Sequence, residues 1–162
     1  MTQQIARPHF DGLDTAFLQL SFALKLWHYV RDGSIPLDQF DIPLTIQGDD
    51  GSLYVMPGGE FITVDDLFNA AENNVAICFG TAAITLWEAI KECSGLEAKS
   101  LNPSASVEHG VAGLAYAVRC CFAHGTALPI WKLSDSKYRT QYYLGGRMID
   151  LRNVDGIPFD YA

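Results

Sequence analysis

The sequence has no uninterrupted apolar run of the roughly 20 residues that a membrane-crossing helix needs. Its opening, MTQQIARPHF, lacks the apolar stretch of a secretory signal. The expected compartment is therefore the cytoplasm, with no membrane partner. Metal-ligand patterns are missing as well. None of the four cysteines forms a Cys-x2-Cys pair, no histidine stands at zinc-finger spacing, and there is no His-Glu-x-x-His. His9, His28, His109 and His124 are scattered, so no metal site is expected. Neither a Gly-x4-Gly-Lys-[Ser/Thr] phosphate loop nor a Gly-x-Gly-x-x-Gly fingerprint occurs. A Gly-x-Ser-x-Gly nucleophile elbow is also absent. No cofactor is expected.

Cysteine is scarce and placed for packing. Cys78, Cys93, Cys120 and Cys121 lie in apolar, helix-like surroundings, and the adjacent Cys120-Cys121 pair is poorly suited to a disulfide. They read as small buried hydrophobes. Basic residues are few: 11 against 19 acidic, a net charge of −8. Taken whole, that charge argues against nonspecific nucleic-acid binding, because phosphate contacts need Lys and Arg. The distribution is uneven. Residues 116 to 152 hold six basic residues and two acidic ones, so this segment is +4 and the remainder −12.

What is present is the composition of a globular protein, 49% hydrophobic and 19% charged over 162 residues. A chain of this length can bury roughly 70% of its unfolded surface without disulfides or a structural metal. It reads as a single domain, with a helical core at residues 12–125 and a β-containing extension at 126–162.

Apolar periodicity predicts three long helices. The first starts near Asp14 or Thr15, after a loose arm at 1–11, and ends at Asp32-Gly33. Ala16, Leu20, Ala23, Leu24, Trp27 and Val30 form its stripe. An inserted loop follows at 34–62, with three prolines and two turn signals around short strands at 44–46 and 53–56. A second helix is capped by Thr63, with Asp65 and Asp66 in its first turn, and runs to about Glu92. Gly80-Thr81 could kink it. The third helix starts at Ser104 or Ser106 and runs to His124, with Gly125 at its stop. Segments 138–144 and 147–151 flank Gly145-Gly146, a two-residue hairpin signal. Trp27 and Trp87 fall on apolar stripes and are expected in the core. Glu72, Asn73 and Asn74 are expected to face outward.

One constellation carries chemistry. Arg119 and His124 bracket four apolar residues at the end of the third helix. Imidazole titrates near neutrality and can transfer protons. Guanidinium stays charged and forks onto two phosphate oxygens. Residues five apart on a straight helix lie about 140° apart around its axis. The two side chains of one chain therefore do not share a face, unless the helix end distorts or two copies build one cleft across a two-fold axis. Structural roles also fit: Arg119 bound to helix carbonyls or a carboxylate such as Glu72, and His124 on the helix dipole.

The segment Ala117-Val118-Arg119-Cys120-Cys121-Phe122-Ala123-His124-Gly125 resembles the signature of HEPN domains (higher eukaryotes and prokaryotes nucleotide-binding). The likeness covers about residues 12–125. It implies a mainly α, HEPN-like helical bundle, here with an inserted loop and a small C-terminal β hairpin. It further implies a metal-independent endoribonuclease acting as a homodimer, often a toxin or defence effector governed by an antitoxin or regulator. Arg119 and His124 would be the catalytic pair. Active members often carry a polar residue after the Arg, and here that position is Cys120. The alternative is a catalytically inactive module of the same fold that binds RNA, a nucleotide or a partner protein. Beyond the motif, Trp131 and Lys132 are placed to stack a base and hold phosphate, with Trp131 sealing the bundle as the other reading. Arg139 and Arg147, with Lys137 and Arg152, would supply a basic face.

Overall fold

The computed structural model describes residues 8–160 except 124, 126 and 127, with side chains described from residue 12 onward. The chain is mainly helical, with a small hairpin near its C-terminus. Its elements are α1 (Pro8–Arg31), α2 (Leu37–Phe40), β1 (Leu44–Gln47), β2 (Leu53–Met56), α3 (Val64–Ser94), α4 (Val107–Phe122), β3 (Gln141–Leu144) and β4 (Arg147–Asp150). No helix among the described residues is long and apolar enough to cross a membrane. Two compact units emerge: residues 1–20 with 76–162, and residues 21–75. The long helices α1 and α3 contribute to both.

The larger unit is built on α4. Ser106 caps this helix by accepting the His109 N–H, as its sequence position predicts. Its buried face runs through Ala112, Leu114, Ala117, Cys121 and Phe122. Against it pack Trp87 of α3, Leu101, and the tail residues Trp131, Leu133, Tyr138, Tyr142 and Leu151. The tail is thus part of the core, tied down twice. β3 and β4 pair antiparallel from Gln141↔Asp150 to Leu144↔Arg147. Their turn has positive φ at both Gly145 and Gly146, the I′ geometry that glycine adopts without a Cβ clash. Farther on, Ile130 bridges Pro158, and Phe159 packs on Phe79, Phe122 and Trp131.

The smaller unit joins the second half of α1 to the first turns of α3. Val30, Leu67 and Ala71 form its buried centre, with Leu26, Trp27 and Phe68 around them. Arg31 lies 4.5 Å over the Trp27 ring.

Several expectations shift. α1 begins at Pro8, not at Asp14, so part of the expected loose arm is helical. α3 runs uninterrupted through Gly80. That glycine answers a packing need instead: a Cβ there would stand 2.6 Å from Cδ1 of Phe122. The inserted loop contains a two-stranded hairpin with the expected strands, plus the short helix α2. Trp87 is core, whereas Trp27 is half-buried. Glu72 and Asn73 are exposed and Asn74 is half-buried.

Candidate functional site

Arg119 occupies the last turn of α4, three residues before Phe122 ends the helix. Its side chain is half-buried. The Nε–H is shielded from solvent and has no hydrogen-bond partner. The guanidinium also forms no ion pair among the described residues. Among the described residues no helix carbonyl accepts from its Nε–H. A buried donor without an acceptor costs stability, typically about 1–3 kcal/mol. His124 lies outside the described residues.

One helical turn back, Tyr116 and Cys120 stand four residues apart on one face of α4, and both line the same cavity. Burial, with the Cys120 thiol beside it, pushes the Tyr116 phenol above its ordinary pKa, against the opposing pull of the Arg119 charge. The Tyr116 ring meets Trp87 edge-on at 5.0 Å and Tyr138 at 5.0 Å. Tyr116 and Cys120 face a cavity of about 130 Å³ whose other wall is Lys99, Lys132, Asp135 and Lys137. Three lysines against one aspartate give this cavity a cationic rim.

The cations differ in how free they are. Lys137 donates to the carbonyls of Ala98 and Lys99 at 2.9 and 3.2 Å and pairs with Asp135 at 3.5 Å. Lys132 is exposed and forms no ion pair among the described residues. Arg139 is spoken for: its Nε donates to the Leu133 carbonyl at 2.8 Å, and it pairs with Asp155 at 2.7 Å. Arg152 is held by Asp150. Arg147 is exposed, again with no ion pair among the described residues. Trp131 is buried against Phe159, at 9% exposure, so its ring is not presented for stacking. Among the described residues, Arg119, Lys132 and Arg147 are the Lys and Arg side chains of the last third that form no ion pair.

Tyr116, Cys120, Lys99 and Asp135 were not singled out by sequence reasoning as site residues. The Tyr116/Cys120 spacing was the readable signal. Lys99 and Asp135 come from segments far apart in the chain, and only the fold joins them.

A larger cavity, about 290 Å³, lies between α1, α3 and α4. Its lining, including Phe17, Leu20, Leu86, Val111 and Val118, is wholly apolar. It offers nothing for acid–base or phosphate chemistry. No group of three or more His, Cys, Asp or Glu residues able to hold a metal ion occurs among the described residues.

No family model, no curated protein and no solved structure matches this chain.

Proposed function

We propose that this chain is a metal-independent endoribonuclease of the HEPN type that acts as a homodimer. One observation carries the reading. Arg119 holds a half-buried guanidinium with a shielded, unpartnered Nε–H at the end of α4, where the Arg-x4-His signature falls. A permanent cation kept free of carboxylates suits a phosphate that arrives from outside. Lys132 and Arg147, also unpaired, are suited to track the backbone of a bound strand.

In this mechanism the 2′-hydroxyl of RNA attacks the adjacent phosphorus. Its proton passes to the imidazole of His124 acting as base. The P–O5′ bond breaks, and a protonated His124, supplied by the second chain, returns a proton to the leaving oxygen. Arg119 donates to the phosphoryl oxygens as negative charge builds on them. The products carry a 2′,3′-cyclic phosphate and a 5′-hydroxyl. On a straight helix positions five apart are offset by about 140°, and this reading answers that offset by drawing the second imidazole from a second copy. A toxin or defence role under an antitoxin or regulator belongs to the same reading.

The test is incubation with total cellular RNA, tRNA included, in excess EDTA. Wild type and His124→Ala are compared after both are shown to be folded and of equal oligomeric state. Discrete fragments with cyclic-phosphate ends, lost in the variant, support the proposal. No cleavage by a folded wild-type dimer overturns it.

A second reading has its own support. Trp131 is buried and Arg139 is engaged by Asp155, which leaves a thin set of contacts for a long RNA. That favours a silent module of the same fold, holding RNA, a nucleotide or a partner protein without cutting. Such a module binds in the same assay and cleaves nothing.

A further inference from the structure

Hairpin β1–β2 pairs only with itself, in register from Leu44↔Met56 to Gln47↔Leu53. All eight strand residues are exposed. Side chains alternate across a strand, so Leu44, Ile46, Tyr54 and Met56 share one face. That face is entirely apolar, and its members are 46–59% exposed. A lone two-stranded hairpin is marginal in water, and an apolar face with open edges is normally covered.

The hairpin is nonetheless held ready. The Asp41 carboxylate accepts the Phe61 N–H at 2.8 Å, clasping the base of the arm. Phe40 and Phe61 meet at 5.9 Å on the same clasp. Gly58 lies so close that a Cβ would stand 2.7 Å from the Asp41 carbonyl oxygen. These contacts join the chain entering β1 to the chain leaving β2.

Charge narrows the occupant. Between Asp32 and Ile90 the sequence contains no Lys or Arg and ten acidic residues. Asp38, Asp41, Asp49, Asp50 and Glu60 flank the hairpin, and none forms an ion pair among the described residues. A second copy docking hairpin to hairpin would bring two acidic rims together. A basic partner would relieve them.

We propose that the β1–β2 hairpin receives an extended segment of a partner protein in which apolar residues alternate with Lys or Arg. The segment adds as a third strand on an open edge. Its apolar side chains continue the Leu44/Ile46/Tyr54/Met56 face, and its basic side chains answer the acidic rim. This proposal is independent of the Arg119 chemistry.

The probe is a fluorescein-labelled nine-residue peptide alternating Val and Lys, followed by anisotropy against the full chain. Three controls accompany it: Ser in place of Val, Glu in place of Lys, and Pro at the two central Val positions. Saturable binding of the Val/Lys peptide is expected, with each control at least tenfold weaker. An Ile46→Ser/Tyr54→Ser variant should lose the same tenfold while its circular dichroism is unchanged. Equal binding by the Ser/Lys peptide would reduce the effect to bare charge and overturn the proposal. So would equal binding by the Pro peptide, or no binding by Val/Lys. Sedimentation showing a dimer that Ile46→Lys disperses would assign the face to a second copy and also overturn it. The peptide controls decide the matter even if the double variant fails to fold.

Discussion

The ring of Phe122, the last residue of α4, lies against Gly80 of α3, so close that a Cβ there would stand 2.6 Å from Cδ1 and 3.0 Å from Cγ. The ring cannot easily yield, because Phe79 and Phe159 hold it at 5.4 and 5.1 Å. Gly80→Ala should gain about 0.5–1 kcal/mol from lower chain entropy in a helix interior. Overpacking should cost about 1–3 kcal/mol and prevail. The expected result is a net loss of about 1 kcal/mol or more, read as a lower urea midpoint at unchanged slope. Adding Phe122→Leu should recover part of that loss, which a double-mutant cycle measures directly.

Arg119 and Arg139 should separate cleanly on mutation. Arg139→Ala removes a bond to the Leu133 carbonyl and an ion pair with Asp155, whose other carboxylate oxygen accepts the Leu133 N–H at 2.8 Å. It should cost about 1–2 kcal/mol of stability. Arg119→Ala removes a shielded donor that has no acceptor, so stability should hold or rise slightly. Any RNA cleavage should nevertheless fall by tenfold or more, chiefly in kcat. Paired urea curves and single-turnover cleavage of a defined RNA check both halves. A large stability loss in Arg119→Ala would mark that residue as structural.

Local rules made much of this fold readable. Thr63 and Ser106 were legible as caps because a short polar side chain before an apolar period has few other uses. Gly145-Gly146 was legible because a two-residue hairpin turn demands positive φ twice. The strands expected at 44–46 and 53–56 followed from turn signals at both ends, and the structure extends the first to Gln47. What stayed hidden depends on distant partners. Gly80 looked like a kink because nothing near it in sequence announces Phe122, 42 positions away. Arg139 looked available because Asp155, which engages it, lies 16 residues on; Trp131 read either as a stacking platform or as a seal, and Phe159, 28 residues on, meets it as a seal. The candidate site was half legible: Arg119 stood out by spacing, whereas its lack of an ion pair among the described residues, and the cavity of Tyr116, Cys120 and Lys132, needed the fold. The chemistry of His124, outside the described residues, rests on the sequence.

The start of α3 should respond to acid. Thr63 Oγ1 accepts the Asp66 N–H at 3.2 Å, and the Asp66 carboxylate accepts the Thr63 N–H at 2.8 Å, a reciprocal cap. These bonds from Thr63 hold the Asp66 carboxyl below its ordinary 3.8. A carboxylate lowered on folding adds stability that is complete above its unfolded value and disappears as pH falls through its folded one. The Thr63 amide resonance should therefore shift as pH falls below the ordinary 3.8 and the cap opens. Asp66→Asn should abolish that titration. A Thr63 amide that stays put over this range would contradict the cap.

Alkali should unlock the larger unit through Tyr142. This residue is 3% exposed, and its hydroxyl donates to the Tyr138 carbonyl at 3.1 Å. Burial pushes its pKa from 10.0 up to about 12. Burial raises the Tyr138 phenol too, while its hydroxyl donates to the Ala98 carbonyl at 2.7 Å. An acid raised on folding stabilises the fold fully below its unfolded pKa and loses that contribution as pH climbs through the folded one. Between pH 10 and about 12, stability should fall by on the order of 1 kcal/mol per pH unit for Tyr142 alone. A phase of phenolate absorbance should accordingly coincide with loss of helical circular dichroism. Tyr142→Phe should flatten the decline in urea midpoint across this window. If the phenolate signal completes while the helical signal stays intact, Tyr142 ionises without unfolding and burial of its neutral hydroxyl does not hold the larger unit together.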